Sequence, residues 1–275
     1  MELGSAVVLL TGGTGNIGRA VARELLGAGA AVLITDRNAL AVDAIIQSVS
    51  AHQERVAGLT ADIAQPAGRA VICREAQRWR GGINVLVNTA GVNPFRLFDD
   101  HMAVEEVDTA FAVSVQAPIR LCRSLLPYLR RRERAVIVNI GWESGGAGCP
   151  GYLTCTAAKF AIRGFTEALR RELAGTTISV HHLAPRTTRP IASCAVGSGS
   201  AGHGAAMDPS ERAARAVRVM LEREPPHAEV GRAGKIFDGL KTVLSCAVAS
   251  RPALHGQRRR EALSALVTEV RAKPG

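Results

Sequence analysis

Ala6-Val7-Val8-Leu9-Leu10-Thr11-Gly12-Gly13-Thr14-Gly15-Asn16-Ile17-Gly18 sets an apolar run, a glycine-rich turn and a helix start in immediate succession. The apolar residues Ala6–Leu10 read as a strand covered on both faces. The glycines let the backbone turn sharply and come close to a pyrophosphate, whose charge then sits at a helix N-terminus lined with N–H groups. Asp36 follows the next apolar run, Ala31–Thr35. There a carboxylate can accept hydrogen bonds from a ribose 2′-hydroxyl and repel a 2′-phosphate. The stretch is read as a dinucleotide site with NAD favoured as cofactor, while Arg37, beside Asp36, keeps NADP open.

Outward from this stretch, short β-branched runs alternate with helical periods. Strands are expected at Ala6–Leu10, Ala31–Thr35, Val56–Thr60, Ile83–Asn88, Ala135–Ile140 and Ile178–Leu183. Helices are expected at Ile17–Ala28, Ala39–Ser50, Gly68–Trp79, Val104–Arg131 and Thr154–Ala174. This alternation predicts an α/β fold, a single-domain doubly wound (Rossmann-type) parallel sheet with helices on both faces and strand order 3-2-1-4-5-6. A Gly/Ser/Ala stretch over Cys194–Gly204 and a helix over Pro209–Arg223 follow. The expected division is a main domain over 1–231 and a basic helical extension over 232–275 packed on it.

The chain has 275 residues, 47% of them apolar, 4% aromatic and 21% charged, which argues against disorder and against a base-stacking surface. Net charge is +10, carried by thirty arginines and only four lysines. No nucleic-acid partner is expected, because an arginine- and alanine-rich bias can arise from genomic base composition. The exception is the tail, where Arg258-Arg259-Arg260 precede Leu263, Leu266, Val267 and Val270 at helical spacing. Packing on the domain or a dimer mate, and peripheral contact with an anionic membrane, are the two readings of this basic amphipathic helix. Six cysteines show no CxxC pair and no zinc-type His spacing, so no metal site is expected and the thiols read as reduced. With no apolar run long enough for a span and no signal-peptide flanks, the expected location is cytoplasmic.

Several separated stretches together resemble the short-chain dehydrogenase/reductase family over about residues 5 to 190. Thr11–Gly18 looks like its Thr-Gly-rich loop, Asp62-Ile63 like its adenine-contacting pair, and Asn88-Thr89-Ala90-Gly91 like its Asn-Asn-Ala-Gly motif. Lys159 begins a stretch similar to the helix after the family's Tyr-x-x-x-Lys site, and Pro185 stands where the family has Pro-Gly. The resemblance implies a seventh strand, a homodimer or homotetramer built on the long helices, with Leu121, Leu125 and Phe165 as apolar candidates, and a cofactor held by Thr11, Gly12, Gly15, Asn16, Ile17, Gly18, Asp36, Arg37, Asp62, Ile63, Asn88, Ala90, Gly91, Lys159 and Pro185.

At the family's catalytic positions only the lysine matches. Four residues before Lys159 stands Cys155 in place of Tyr, a further thirteen before it Trp142 in place of Ser, and the Asn position falls on Ser114. A thiol lacks the reach of a phenol, and beside a lysine it tends toward thiolate, a base or nucleophile and no proton donor. Tyr152 and Ser144 are the candidate substitutes, although Tyr152 lies seven residues before Lys159 and would need a non-helical start to meet it. Three functions stay open: an oxidoreductase-derived enzyme on a small alcohol, ketone or polyketide-like carbonyl with a rearranged acid/base set; a non-redox enzyme, such as a dehydratase, isomerase or cyclase; and a non-catalytic protein that binds NAD or scaffolds a partner.

Overall fold

Each apolar run becomes a strand of one sheet in the computed structural model, which describes residues 1–93, 104–142, 151–185, 209–223 and 228–229. The strands are β1 (Val7–Thr11), β2 (Ala31–Asp36), β3 (Val56–Thr60), β4 (Val85–Asn88), β5 (Ala135–Ile140), β6 (Ile178–Ala184) and β7 (Ala228–Glu229). All pairings are parallel, in the order β3-β2-β1-β4-β5-β6-β7, so the seventh strand is present as a short edge. These residues belong to one compact unit formed by 1–189 with 206–230. The expected extension 232–275 and the stretch Cys194–Gly204 lie outside the described residues. Among those described, no helix is long and apolar enough to cross a membrane.

The helices are α1 (Asn16–Gly27), α2 (Ala39–Ser48), α3 (Pro66–Arg78), α4 (Val104–Phe111), α5 (Ala117–Leu129), α6 (Leu153–Glu172) and α7 (Ser210–Arg223). They divide between two cores. On one face Val8, Leu10, Val32, Ile34, Val85 and Val136 meet Val21 and Leu25 of α1, Ile45 of α2 and Val217 of α7. On the other, Leu9, Leu33, Leu86, Ile137 and Val180 meet Ile72 of α3, Leu121 and Leu125 of α5 and Leu169 of α6. Burial on both faces is why the strands show no polar alternation. Of the three apolar candidates, Leu121 and Leu125 are fully buried core, while Phe165 is half-buried and packs against the same cluster.

The helix expected over Val104–Arg131 runs continuously from Val104 to Leu129 and carries one wider turn, with residues Ala112–Gln116 π-helical and αR backbone at Phe111 and Ala117 on either side. Pro118 has no N–H to give to the Ser114 carbonyl, the bond a regular α-helix would place there, and the Ala117 N–H reaches back to Ala112 O. The wide turn includes Ser114, one of the candidate site residues. β4 starts at Val85, two residues into its apolar run, and the Asn84 side chain just before it accepts from Val7 N (2.8 Å) and donates to Ser5 O (3.0 Å).

Candidate functional site

The register of the sheet builds a polar row at the carboxyl ends of the strands. Thr35, Thr11, Asn88, Asn139 and His182 stand opposite one another across β2, β1, β4, β5 and β6, two residues beyond the apolar row Leu33, Leu9, Leu86, Ile137 and Val180. The switch from β2 on one side of β1 to β4 on the other opens the crevice where ligands bind in such sheets.

The glycine loop leaves β1 at this point. Gly12 has φ +63°, and a Cβ there would lie 2.5 Å from the Ala90 Cα, so the loop after β1 and the loop after β4 touch backbone to backbone. Thr11 and Thr89 tie the same pair of loops: the Thr89 hydroxyl donates to Thr11 O, and Ala90 N donates to Thr11 Oγ1 at 3.5 Å. A Cβ on Gly18 would lie 2.3 Å from Gly12 O, which fixes the first turn of α1 against the loop. Gly15 is different, because its Cβ would meet only Gly12 O, at 3.4 Å, and the residue is exposed. Behind it the N–H groups of Asn16, Ile17 and Gly18 form the first turn of α1, where an α-helix has no internal acceptors. This cradle fits a pyrophosphate.

Asp36 closes β2 with its carboxylate held in place: Thr14 Oγ1 donates to Oδ2 at 2.6 Å and Arg37 N donates to Oδ1 at 2.8 Å. Arg19 donates to Thr14 O at 2.6 Å, so the loop, the helix and the carboxylate form one connected unit. Arg37 itself is exposed. After β3, Asp62 folds back on Ala64 N (2.8 Å), and a Cβ on Gly68 would strike the Asp62 carbonyl, so α3 starts hard against this turn. Ile63 follows with its side chain largely buried beside Leu33 and Ile72. The residue the sequence did not disclose here is Arg69, a buried arginine whose Nη1 donates to Ile63 O and Ala64 O, both at 2.7 Å. Its helical position looks like any surface charge; only the returning loop makes it a brace.

Lys159 projects from α6 to the end of β5, where its Nζ donates to Ile140 O at 2.9 Å. A Cβ on Gly91 would lie 3.5 Å from both Lys159 Nζ and Ser114 Oγ, so ammonium, hydroxyl and the Asn88–Gly91 loop converge. Val92 N donates to Ser114 Oγ at 3.4 Å. Burial pushes the Lys159 ammonium below its ordinary value near 10.5, against a smaller upward pull from Cys155. A lysine with a lowered folded-state value binds fewer protons folded than unfolded between that value and 10.5, so stability rises with pH across this window. Lys159→Met is expected to remove that rise; urea unfolding of both proteins from about pH 8 to about pH 10 checks it, and a constant difference between them contradicts it.

Cys155, one turn earlier on α6, is 4% exposed. Tyr152 does take a non-helical backbone (φ −122°, ψ 35°) ahead of Leu153, yet its buried ring packs edge-on to Trp142 with centroids 5.7 Å apart. Lys159 bonds to β5, and Tyr152 packs on Trp142 at the start of α6. Pro185 is buried just after β6. Ser144 lies outside the described residues.

A buried relay under the crevice was not legible as such. Asn88 Nδ2 donates to Asn139 Oδ1 (2.8 Å), Asn139 Nδ2 to Thr166 Oγ1 (3.0 Å), and Thr166 Oγ1 to Ile162 O (2.6 Å). The two asparagine side chains bond to each other because the parallel register sets them opposite.

Residues 6–193 match the short chain dehydrogenase family, and the chain belongs to it. It is 32% identical over 185 residues to human dehydrogenase/reductase SDR family member 4, a match spanning 66% of this chain and 66% of that protein. It is 31% identical to the 3-oxoacyl-(acyl-carrier-protein) reductase FabG of Pseudomonas aeruginosa over 67% of this chain and 74% of that one. A short-chain dehydrogenase structure from Streptomyces avermitilis superposes with TM-score 0.74 at 27% identity, covering 94% and 97% of the two chains. This is a family of dehydrogenases and reductases that generally bind NAD or NADP.

Proposed function

We propose that this chain binds NAD in preference to NADP and is an oxidoreductase on a small alcohol, a ketone or a polyketide-like carbonyl, working without the tyrosine acid on which the family relies. The observation that carries this reading is the convergence of Lys159 Nζ and Ser114 Oγ on Gly91, while Cys155 holds the position one turn before Lys159. The cofactor supplies or accepts hydride when bound. Gly12, Gly15, Gly18 and the first turn of α1 hold its pyrophosphate, Asp36 its ribose, and Lys159 the nicotinamide end. Proton movement then falls to Ser114 and Lys159, the protic side chains that converge at Gly91. A second reading, a non-redox reaction with Cys155 as base or nucleophile, is favoured by the place of the thiol one turn before Lys159 on α6.

For assembly, we propose a dimer or tetramer through the half-buried Phe165 and the exposed apolar side chains of α4 and α6, Val104, Leu153 and Phe160, in place of Leu121 and Leu125, which are core. The basic segment 232–275 is proposed as a helical extension.

The test is NADH-dependent turnover on a panel of ketones. Ser114→Ala and Lys159→Met are expected to lower the wild-type rate by about 100-fold or more, the usual worth of a positioned proton-transfer group, while Cys155→Ala retains it. Turnover that appears only in the combined Cys155→Tyr, Trp142→Ser, Ser114→Asn variant contradicts the reading and marks a decayed redox site. Loss of activity in Cys155→Ala alone transfers the chemistry to the second reading.

A further inference from the structure

We propose that the opposite end of the sheet carries a second ligand site, for a small organic anion in which a phosphate or carboxylate is joined to an apolar body. A cavity of about 460 Å³ opens between the C-terminal ends of α3 and α5, beside the turn Arg80-Gly81-Gly82 that leads toward β4. That volume lies in the range of small-molecule sites. The crevice described above sits at the carboxyl ends of the strands; this cavity sits at their amino ends, so neither the glycine loop nor Lys159 contributes to it.

The floor of the cavity is apolar, made by Ala76, Ile83 and Leu125, all at most 2% exposed. Its rim is cationic, with Arg78, Arg131 and Arg132, and no Asp or Glu lines it. Among the described residues no carboxylate pairs with any of the three. Two of these guanidiniums are already placed. Arg131 lies over the Tyr128 ring, 5.6 Å from its centroid, and Arg132 donates to Gly81 O. A Cβ on Gly82, which has φ +94°, would lie 2.2 Å from Arg132 Nη2, so the turn is shaped to admit that side chain. Arg80 sits in the left-handed region (φ 52°) and is anchored by donation to Glu54 O at 2.9 Å.

The arginines have a competing explanation, since cations are favoured at helix C-termini. Each helix end, however, offers roughly half a unit of negative charge, so the ends of α3 and α5 together offset about one guanidinium of three. The surplus favours an anion, and a planar fork suits phosphate and carboxylate alike. The buried floor adds a demand for apolar surface on the same molecule. Pre-placed arginines lower the ordering cost of binding.

The experiment titrates the full chain with phenyl phosphate, benzoate and inorganic phosphate, followed by calorimetry and by amide NMR shifts. Saturable binding of phenyl phosphate or benzoate, tighter than inorganic phosphate, is expected, with the Gly81 and Gly82 amide signals moving. Whichever of the two aromatic anions binds more tightly names the charged group. Arg78→Ala with Arg131→Ala, both exposed and outside the crevice, should weaken binding at least tenfold at an unchanged unfolding temperature. Unchanged affinity in that variant, shifts confined to Gly12–Gly18, or no saturable binding at millimolar concentration overturns the proposal.

Discussion

Gly18→Ala is expected to cost about 1–3 kcal/mol of stability and to weaken NADH binding by about 10- to 100-fold. The added Cβ falls 2.3 Å from Gly12 O and 2.7 Å from Gly13 Cα, and both obstacles are backbone. No rotamer change relieves them. Either the first turn of α1 moves outward or the loop after β1 moves toward Ala90, where the Gly12 backbone already leaves no room for a Cβ. Each displacement takes the N–H groups of Asn16 and Ile17 off the pyrophosphate, and hydrogen bonds to a charged group are worth about 1.5–3 kcal/mol each. Gly15→Ala is the contrasting variant. Its Cβ has space in the protein, so stability should hold while NADH binding falls, because the new methyl points into the cradle. Equal stability loss in both variants would sink this division of labour.

Asn139→Leu is expected to lower stability by about 2–3 kcal/mol and the unfolding temperature by about 5–10 °C. Asn139 is fully buried and holds the middle of the relay from β4 to α6. Among the described residues its loss leaves Asn88 Nδ2 with the Cys122 sulfur at 3.8 Å, in a side chain whose Oδ1 has no partner there. Burying an unsatisfied amide costs far more than the bond was worth, whereas replacing both partners with apolar groups is often close to neutral. The double variant Asn88→Leu, Asn139→Leu should therefore recover part of the loss in a thermal melt. Additive losses would show that the two asparagines do not act as a pair.

The central strands were legible because residues buried on both faces leave no alternative to short apolar runs, and β5, buried throughout, begins and ends where its run does. Glycines 12 and 18 were legible for a related reason: their role is a backbone approach that any side chain prevents. What the sequence hid lies in contacts between distant residues. Asn88 and Asn139 are 51 positions apart, and nothing local says that parallel pairing will set them opposite. The wide turn at Ser114 depends on an N–H missing from Pro118, four residues away, inside a stretch whose apolar period continues unbroken. Arg69 looks like a surface charge in the sequence and becomes a brace because α3 returns against the end of β3.

The glycine loop and the Asp36 carboxylate, held by Thr14 and Arg37 N, are proposed as the NAD site. Calorimetric titration of the purified chain with NADH and with NADPH tests this without knowledge of the substrate. Saturable NADH binding in the micromolar range and weaker NADPH binding are expected, with the preference lost in Asp36→Ser. A folded protein that binds neither, or that binds NADPH the more tightly, contradicts it.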